Sequence, residues 1–280
     1  MIEPNKRDIK LAIIDLYDNE PNEGMRCIRE IIENCSDTLE DQKIDYNIYE
    51  TRYKDDIPTL NHDIYISSGG PGSPFDGEGK RWESHYFNLI DHIWNHNQTH
   101  ENKKYVFFIC HSFQMMCRFF ELADIQKRQF RSFGVIPVAK TAPGQTDPLL
   151  NVLPEPYFAA DFRQYEVIDP RERLFDQLDA ELLSREFERV DPTQPKALMA
   201  IRLSDSMFAT QYHPEADPDS MLVHFRQPER RKQVVDEYGE ERYNHMIAQL
   251  DRPDTIRQTR SAILPRFIMD AVAAVNKLQN

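Results

Sequence analysis

Cys110 closes an apolar run, Tyr105-Val-Phe-Phe-Ile-Cys110, and His111-Ser-Phe-Gln114-Met-Met follows at once. An apolar strand that ends at a cysteine and turns into an amphipathic helix has the layout of a nucleophile elbow. Such a turn lifts the thiol off the carboxyl end of a sheet and sets it at a helix N-terminus. There the helix dipole and free backbone N–H groups favour the thiolate. Far downstream the chain reads Thr210-Gln-Tyr-His213-Pro-Glu215. His213 offers a general base, and Glu215 a carboxylate to orient it. One cysteine, one histidine and one glutamate are the parts of a cysteine acyl-transfer site.

A scaffold must bring these residues together, and the order of elements indicates which. Ile9 to Leu16, Ile44 to Tyr49 and Asp63 to Ser67 read as short buried strands. Between and after them, Gly24 to Asn34 and Trp82 to Asn95 carry helical apolar stripes. This βαβ rhythm predicts an α/β fold: a doubly wound, mostly parallel, flavodoxin-like sheet with its site at the strands' carboxyl ends. The middle of the chain differs. Gly134 to Lys140, Tyr157 to Ile168, Ala197 to Leu203 and Met207 to Tyr212 read as strands joined by turns, suited to antiparallel addition at the sheet edge. Turn signals include Pro143-Gly144, Pro154-Glu-Pro156, Asp169-Pro170 and Asp191-Pro192. Beyond Glu215 the pattern is helical and very charged, most densely from Pro228 to Leu250, and a last helix is expected from about Thr259 to Leu278, with Pro265 near its start. The expected division is a domain over residues 1–216 and a helical extension over 217–280.

Composition limits the function classes. The 280 residues are 40% hydrophobic and 29% charged, enough for one full core. A net charge of −13 argues against nucleic acid and against an anionic membrane surface as the main partner. Cys27, Cys35, Cys110 and Cys117 match neither a CxxC motif nor a disulfide scaffold, so free thiols in a reducing cytoplasm are expected. Met1-Ile-Glu-Pro-Asn-Lys-Arg-Asp lacks the apolar core of a signal peptide. His92, His96 and His100 have a spacing that could bind a metal on a helix. However, Asn95 to His100 is a poor helix former and reads as a solvated helix end, so no metal is expected.

Taken together, Gly69-Gly-Pro-Gly-Ser-Pro74, Cys110-His-Ser-Phe-Gln114 and His213-Pro-Glu215 resemble the motifs of class I glutamine amidotransferase domains, such as the glutaminase domains of GMP synthetase and anthranilate synthase. The likeness covers roughly residues 9–216. It implies a Cys110–His213–Glu215 triad that hydrolyses the side-chain amide of glutamine through a thioester, with no cofactor. Ammonia then passes to a synthetase. No synthetase domain is read in residues 217–280, so the acceptor enzyme would be a separate protein. Oxyanion donors would be the backbone N–H groups of His111 and of Gly70 or Gly72. Gln114 would help hold the substrate, and the stretch Arg163-Gln164-Tyr165 would meet its amino-acid end through backbone groups.

The chain departs from the family's elbow, Gly-x-Cys-x-Gly-x-Gln. Phe108 stands at the first glycine and Ser112 at the second. Two other readings therefore stay open: a different Cys-dependent hydrolase or acyltransferase acting on γ-glutamyl or small amino-acid substrates, and a non-catalytic regulatory protein on a degenerate scaffold. The Cys110-His111 pair also resembles a protease-like and chaperone-like family of the same broad fold, in which His111 would itself serve the cysteine. The Gly-Pro-Gly loop and the His-Pro-Glu motif point away from that family.

Overall fold

A computed structural model describes residues 6–20, 22–189, 193–252 and 255–278. Met1 to Asn5 and the turn signal at Asp191-Pro192 lie outside the described residues. The first half alternates strand and helix: β1 (Ile9–Ile14), α1 (Glu23–Asp37), β2 (Ile44–Tyr49), α2 (Thr51–Lys54), β3 (Ile64–Ser67), α3 (Arg81–Thr99), β4 (Tyr105–Ile109) and α4 (His111–Phe119). Next come β5 (Asp124–Lys140), α5 (Ala142–Thr146), β6 (Tyr157–Ile168), α6 (Glu172–Leu178), β7 (Glu181–Glu186), β8 (Leu198–Ser204) and β9 (Met207–Thr210). All nine strands form one sheet in the order β2-β1-β3-β4-β9-β8-β7-β5-β6. From β2 to β9 every pairing is parallel; from β9 to β6 every pairing is antiparallel.

The parallel strands are buried on both faces, which is why they read as near-continuous apolar runs. Leu11, Ile13, Ile64, Ile66 and Phe107 point to one face, Ala12, Ile14, Tyr65, Val106 and Phe108 to the other. The first face packs against the stripe Met25, Ile28, Ile31, Ile32 of α1, whose N-terminus Asn22 caps by accepting from Met25 N at 2.8 Å. The second packs against Tyr86, Leu89, Ile90 and Ile93 of α3 and against Phe113 and Met116 of α4.

Helix α3 runs past the solvated end expected at Asn95. The reason is Asn97, which is buried: its side-chain amide donates to Lys104 O and Ser206 Oγ, and its oxygen accepts from Lys104 N. That crosslink holds the last turn against the start of β4. The His96 and His100 rings stack at 4.1 Å beside it.

Three further expectations are corrected in the second half. Strand β5 starts ten residues before Gly134, because its polar first half pairs along β6 through a bulge between Lys127 and Ser132. The connection between β6 and β8 contains α6 and strand β7 rather than turns alone. The charged stretch after Glu215 is α7 (Pro218–Arg226), α8 (Pro228–Tyr238) and α9 (Glu240–Leu250). The last two are split at Gly239, whose φ of 87° ends α8. The final helix is likewise two, α10 (Thr255–Ala262) and α11 (Leu264–Lys277), with Pro265 in the first turn of α11.

The apolar packing of these helices on the body falls into two clusters. Val234, Tyr243, Met246 and Leu250 pack with Val135 over the β5–β6 hairpin. Phe267, Ile268, Ala271 and Val272 of α11 complete the core on the α1 face of the sheet, with Phe267 edge-on to Phe107 at 5.2 Å. Among the described residues, no helix is long and apolar enough to cross a membrane.

Candidate active site

Cys110 is the hinge between β4 and α4. Its φ of 50° and ψ of −97° lie outside the regions that L-residues favour, a conformation that persists only when its surroundings fix it. Two backbone bonds do so: Cys110 N donates to Thr210 O at 2.7 Å, and Cys110 O accepts from Gln114 N at 3.1 Å. The first ties the elbow to β9, and the second opens the helix.

The two departures from the family's elbow are absorbed by packing. Phe108 is directly flanked in the sheet by Ser67 on β3 and Ala209 on β9, and these small neighbours leave room for its ring. The ring lies in the α3–α4 face of the core, fully buried, among residues apart from those around Cys110. Ser112 acts as a splice. Its hydroxyl accepts from Ile109 N at 2.7 Å and donates to Ser67 O at 2.8 Å, bridging the ends of β3 and β4.

His213 and Glu215 follow the end of β9. A bridge to β6, His213 N to Ala160 O at 2.9 Å, fixes the backbone there. The ring's Nδ1 bonds Glu215 Oε1 at 2.8 Å, which sets the tautomer and turns Nε2 away. The Cys110 sulfur lies close enough to this ring to act on its proton affinity. Burial alone would pull the proton affinity of His213 down. The Glu215 carboxylate, and then Cys110, more than reverse this, so its pKa stands well above the ordinary histidine value. Glu215 is buried; its carbonyl accepts from Arg260 of α10, and its Oε2 has no hydrogen-bond partner among the described residues.

Tyr17, just past β1, shares this cluster. Burial, with Glu215 and Cys110 next in effect, raises its hydroxyl well above the usual range. A Cβ placed on Gly69 would lie 2.9 Å from His213 Cε1 and 3.1 Å from the Tyr17 hydroxyl, so only glycine lets this loop approach the ring.

The Gly69–Pro74 loop is bolted from outside. Arg52 donates to Pro71 O at 2.6 Å, and Arg118 donates to Pro74 O while pairing with Glu83 at 2.6 Å. A Cβ on Gly70 would meet Leu16 O at 2.4 Å, and Gly72 has a φ of 84°. His111 follows Cys110 but is buried in α4. Burial, then the charge of Arg52, hold its pKa down to about 3, so it is neutral and does not carry protons near neutrality. Cys117 is core, and burial pushes its thiol up.

Of the expected substrate contacts, Gln114 lies beside the elbow, donating to Tyr165 O at 3.2 Å and Gln211 Oε1 at 3.1 Å. Tyr165 sits edge-on to Phe75, the residue after the glycine loop, at 6.4 Å. Gln164 is exposed, while its neighbours Arg163 and Glu166 are buried in ion pairs. Sequence reading did not single out Gln211, Tyr17, Arg52, Arg118 or Arg260. Only Gln211, two residues before His213, carries a positional hint.

A parallel sheet with a strained cysteine elbow, and a histidine–glutamate pair brought to it from the neighbouring strand, define an amidotransferase-type α/β protein. Residues 26–225 match the family model for glutamine amidotransferase class-I, and the chain belongs to that family. The fold is similar to that of a glutamine amidotransferase from Thermotoga maritima: TM-score 0.64, 14% identity, covering 94% of this chain and 98% of that one. A glutamine amidotransferase from Methylobacillus flagellatus superimposes with a TM-score of 0.59 at 13% identity, covering 95% and 96%. The glutaminase domain of a Trypanosoma brucei CTPS gives 0.52 at 12% identity, covering 74% and 86%. No curated protein matches the chain.

Proposed function

We propose that this protein hydrolyses the side-chain amide of glutamine at Cys110 and supplies the ammonia to a separate synthetase. The observation that carries the reading is the His213 Nδ1–Glu215 bond of 2.8 Å beside a cysteine held at φ 50°. The raised proton affinity of His213 suits it to take the Cys110 proton as the sulfur attacks. The thiolate attacks the amide carbon and pushes its electrons onto oxygen. Backbone N–H groups of His111 and of Gly70 or Gly72 receive that charge; one such donor is typically worth about 100- to 1000-fold in rate. His213 gives its proton to the leaving nitrogen, the C–N bond breaks and ammonia departs, leaving a γ-glutamyl thioester. His213 then takes a proton from water, the hydroxide adds to the thioester carbon, and the C–S bond breaks to release glutamate and return the Cys110 thiolate. Glu215 keeps the ring oriented and offsets its charge.

The helices α7 to α11 after the triad pack on the sheet and the β5–β6 hairpin. The test is ammonia and glutamate release from glutamine by the purified protein, with and without candidate synthetases, together with labelling of Cys110 by a glutamine-analogue electrophile. Turnover lost in Cys110→Ser supports the reading. No turnover and no label under any of these conditions would overturn it.

A further inference from the structure

Gln211 is fully buried, and its side chain lies between the nucleophile and Gln114. Its Nε2 donates to Cys110 Sγ at 3.8 Å, and its Oε1 accepts from Gln114 Nε2 at 3.1 Å. Gln114, 3% exposed, also donates from Nε2 to Tyr165 O at 3.2 Å. An amide side chain can be turned end for end, so the direction of such a relay needs a fixed terminus. Here the terminus is a backbone carbonyl. Tyr165 O only accepts, so it must face the NH₂ of Gln114. The second hydrogen of that NH₂ points at Gln211 and demands an oxygen there. The NH₂ of Gln211 is thereby turned to the sulfur. Reversing either amide would set donor against donor or acceptor against acceptor in a buried space.

We infer that Gln211 is a positioning residue for the nucleophile: it holds an N–H donor on Cys110 Sγ, and Tyr165 O, through Gln114, fixes the polarity of that donor. A hydrogen bond to the charged form of an acid favours that form, so the relay stabilises thiolate over thiol. It acts on the sulfur beside His213, whose Nδ1 is taken by Glu215. It also changes what Gln114 offers a substrate, because both amide hydrogens are committed and its Oε1 alone is free to accept. The assignment rests on Cys110 being the nucleophile but not on glutamine being the substrate.

Iodoacetamide, which reports thiolate whatever the enzyme's substrate, is therefore the probe. Its rate of addition to Cys110, located by peptide mass spectrometry, is followed against pH in the full chain. Gln211→Met keeps the volume and removes the donor. The inflection should move up by about one pH unit, and the rate below it should fall about tenfold. Gln211→Glu, nearly isosteric, turns an anion toward the sulfur and should move the inflection further. Gln114→Met should shift it in the same direction by less, and Gln114→Met with Gln211→Met should do no more than Gln211→Met alone. Unchanged inflections in both Gln211 variants, or additive shifts in the pair, would overturn the relay. Loss of glutamine turnover with an unchanged alkylation profile would likewise leave Gln211 a structural residue only.

Discussion

The Ser112 hydroxyl bridges two strands, and removing it is a direct test of how this elbow is held. Alanine keeps every carbon and deletes one oxygen, so little cavity is created. What is lost is the acceptor for Ile109 N at 2.7 Å and the donor to Ser67 O at 2.8 Å, at a site with no exposure. An orphaned buried N–H costs about 1–3 kcal/mol, and the bond to Ser67 about 1 kcal/mol more, so Ser112→Ala should destabilise by about 2–4 kcal/mol. Equilibrium urea unfolding followed by the fluorescence of Trp82 and Trp94 reads this as a lower midpoint at unchanged slope. Ser112→Gly restores the family's residue and should do no better, since it leaves the same orphan and adds about 0.5–1 kcal/mol of backbone entropy. A loss below about 0.5 kcal/mol for alanine, or a glycine variant as stable as the native protein, would refute the splice.

Other consequences are equally measurable. Phe108→Gly should cost about 4 kcal/mol or more in the same urea assay, because a large ring leaves the core without opening the site. Gly70→Ala has no room beside Leu16 O at 2.4 Å, so it should cut Cys110 labelling at least about 100-fold or prevent folding, read by labelling and circular dichroism. Burial would raise the pKa of Glu166, but Arg189, Gln126 and Arg128 lower it. A depressed folded value contributes stability above the ordinary glutamate value and loses it as pH falls through the folded one. Stability should therefore fall as the pH drops below the ordinary glutamate value, and Glu166→Gln should flatten that slope in urea titrations.

The parallel half of the fold was legible because each strand is buried on both faces and each helix shows a stripe, so local pattern and tertiary burial agree. The antiparallel half was harder. The first half of β5 is mostly polar and exposed, held by cross-strand pairing and by ion pairs such as Arg128 with Glu166 at 2.5 Å, which leave no periodic mark. The charge pattern from Pro228 to Leu250 marks helix but not where α8 ends and α9 begins, which Gly239 decides through its φ of 87°. At the site, Cys110, His213 and Glu215 announced themselves as motifs. Gln211 and the arginines that bolt the glycine loop did not, because their roles are contacts between segments distant in sequence. Phe108 fits at the family's glycine position because its cross-strand neighbours Ser67 and Ala209 are small, a pairing the local sequence does not reveal.

The closure of the sheet by α11 has a bearing on how the protein is made. Asn276 of this helix bonds Gln42, 234 residues earlier, and Phe267 covers Phe107 in the middle of the sheet. Until α11 has left the ribosome, α1 covers this face of the parallel strands only in part, and Phe107 lacks its neighbour Phe267. The nascent chain must carry that part of the face open through most of translation, a stretch of apolar surface that a chaperone could shield until the last helix arrives.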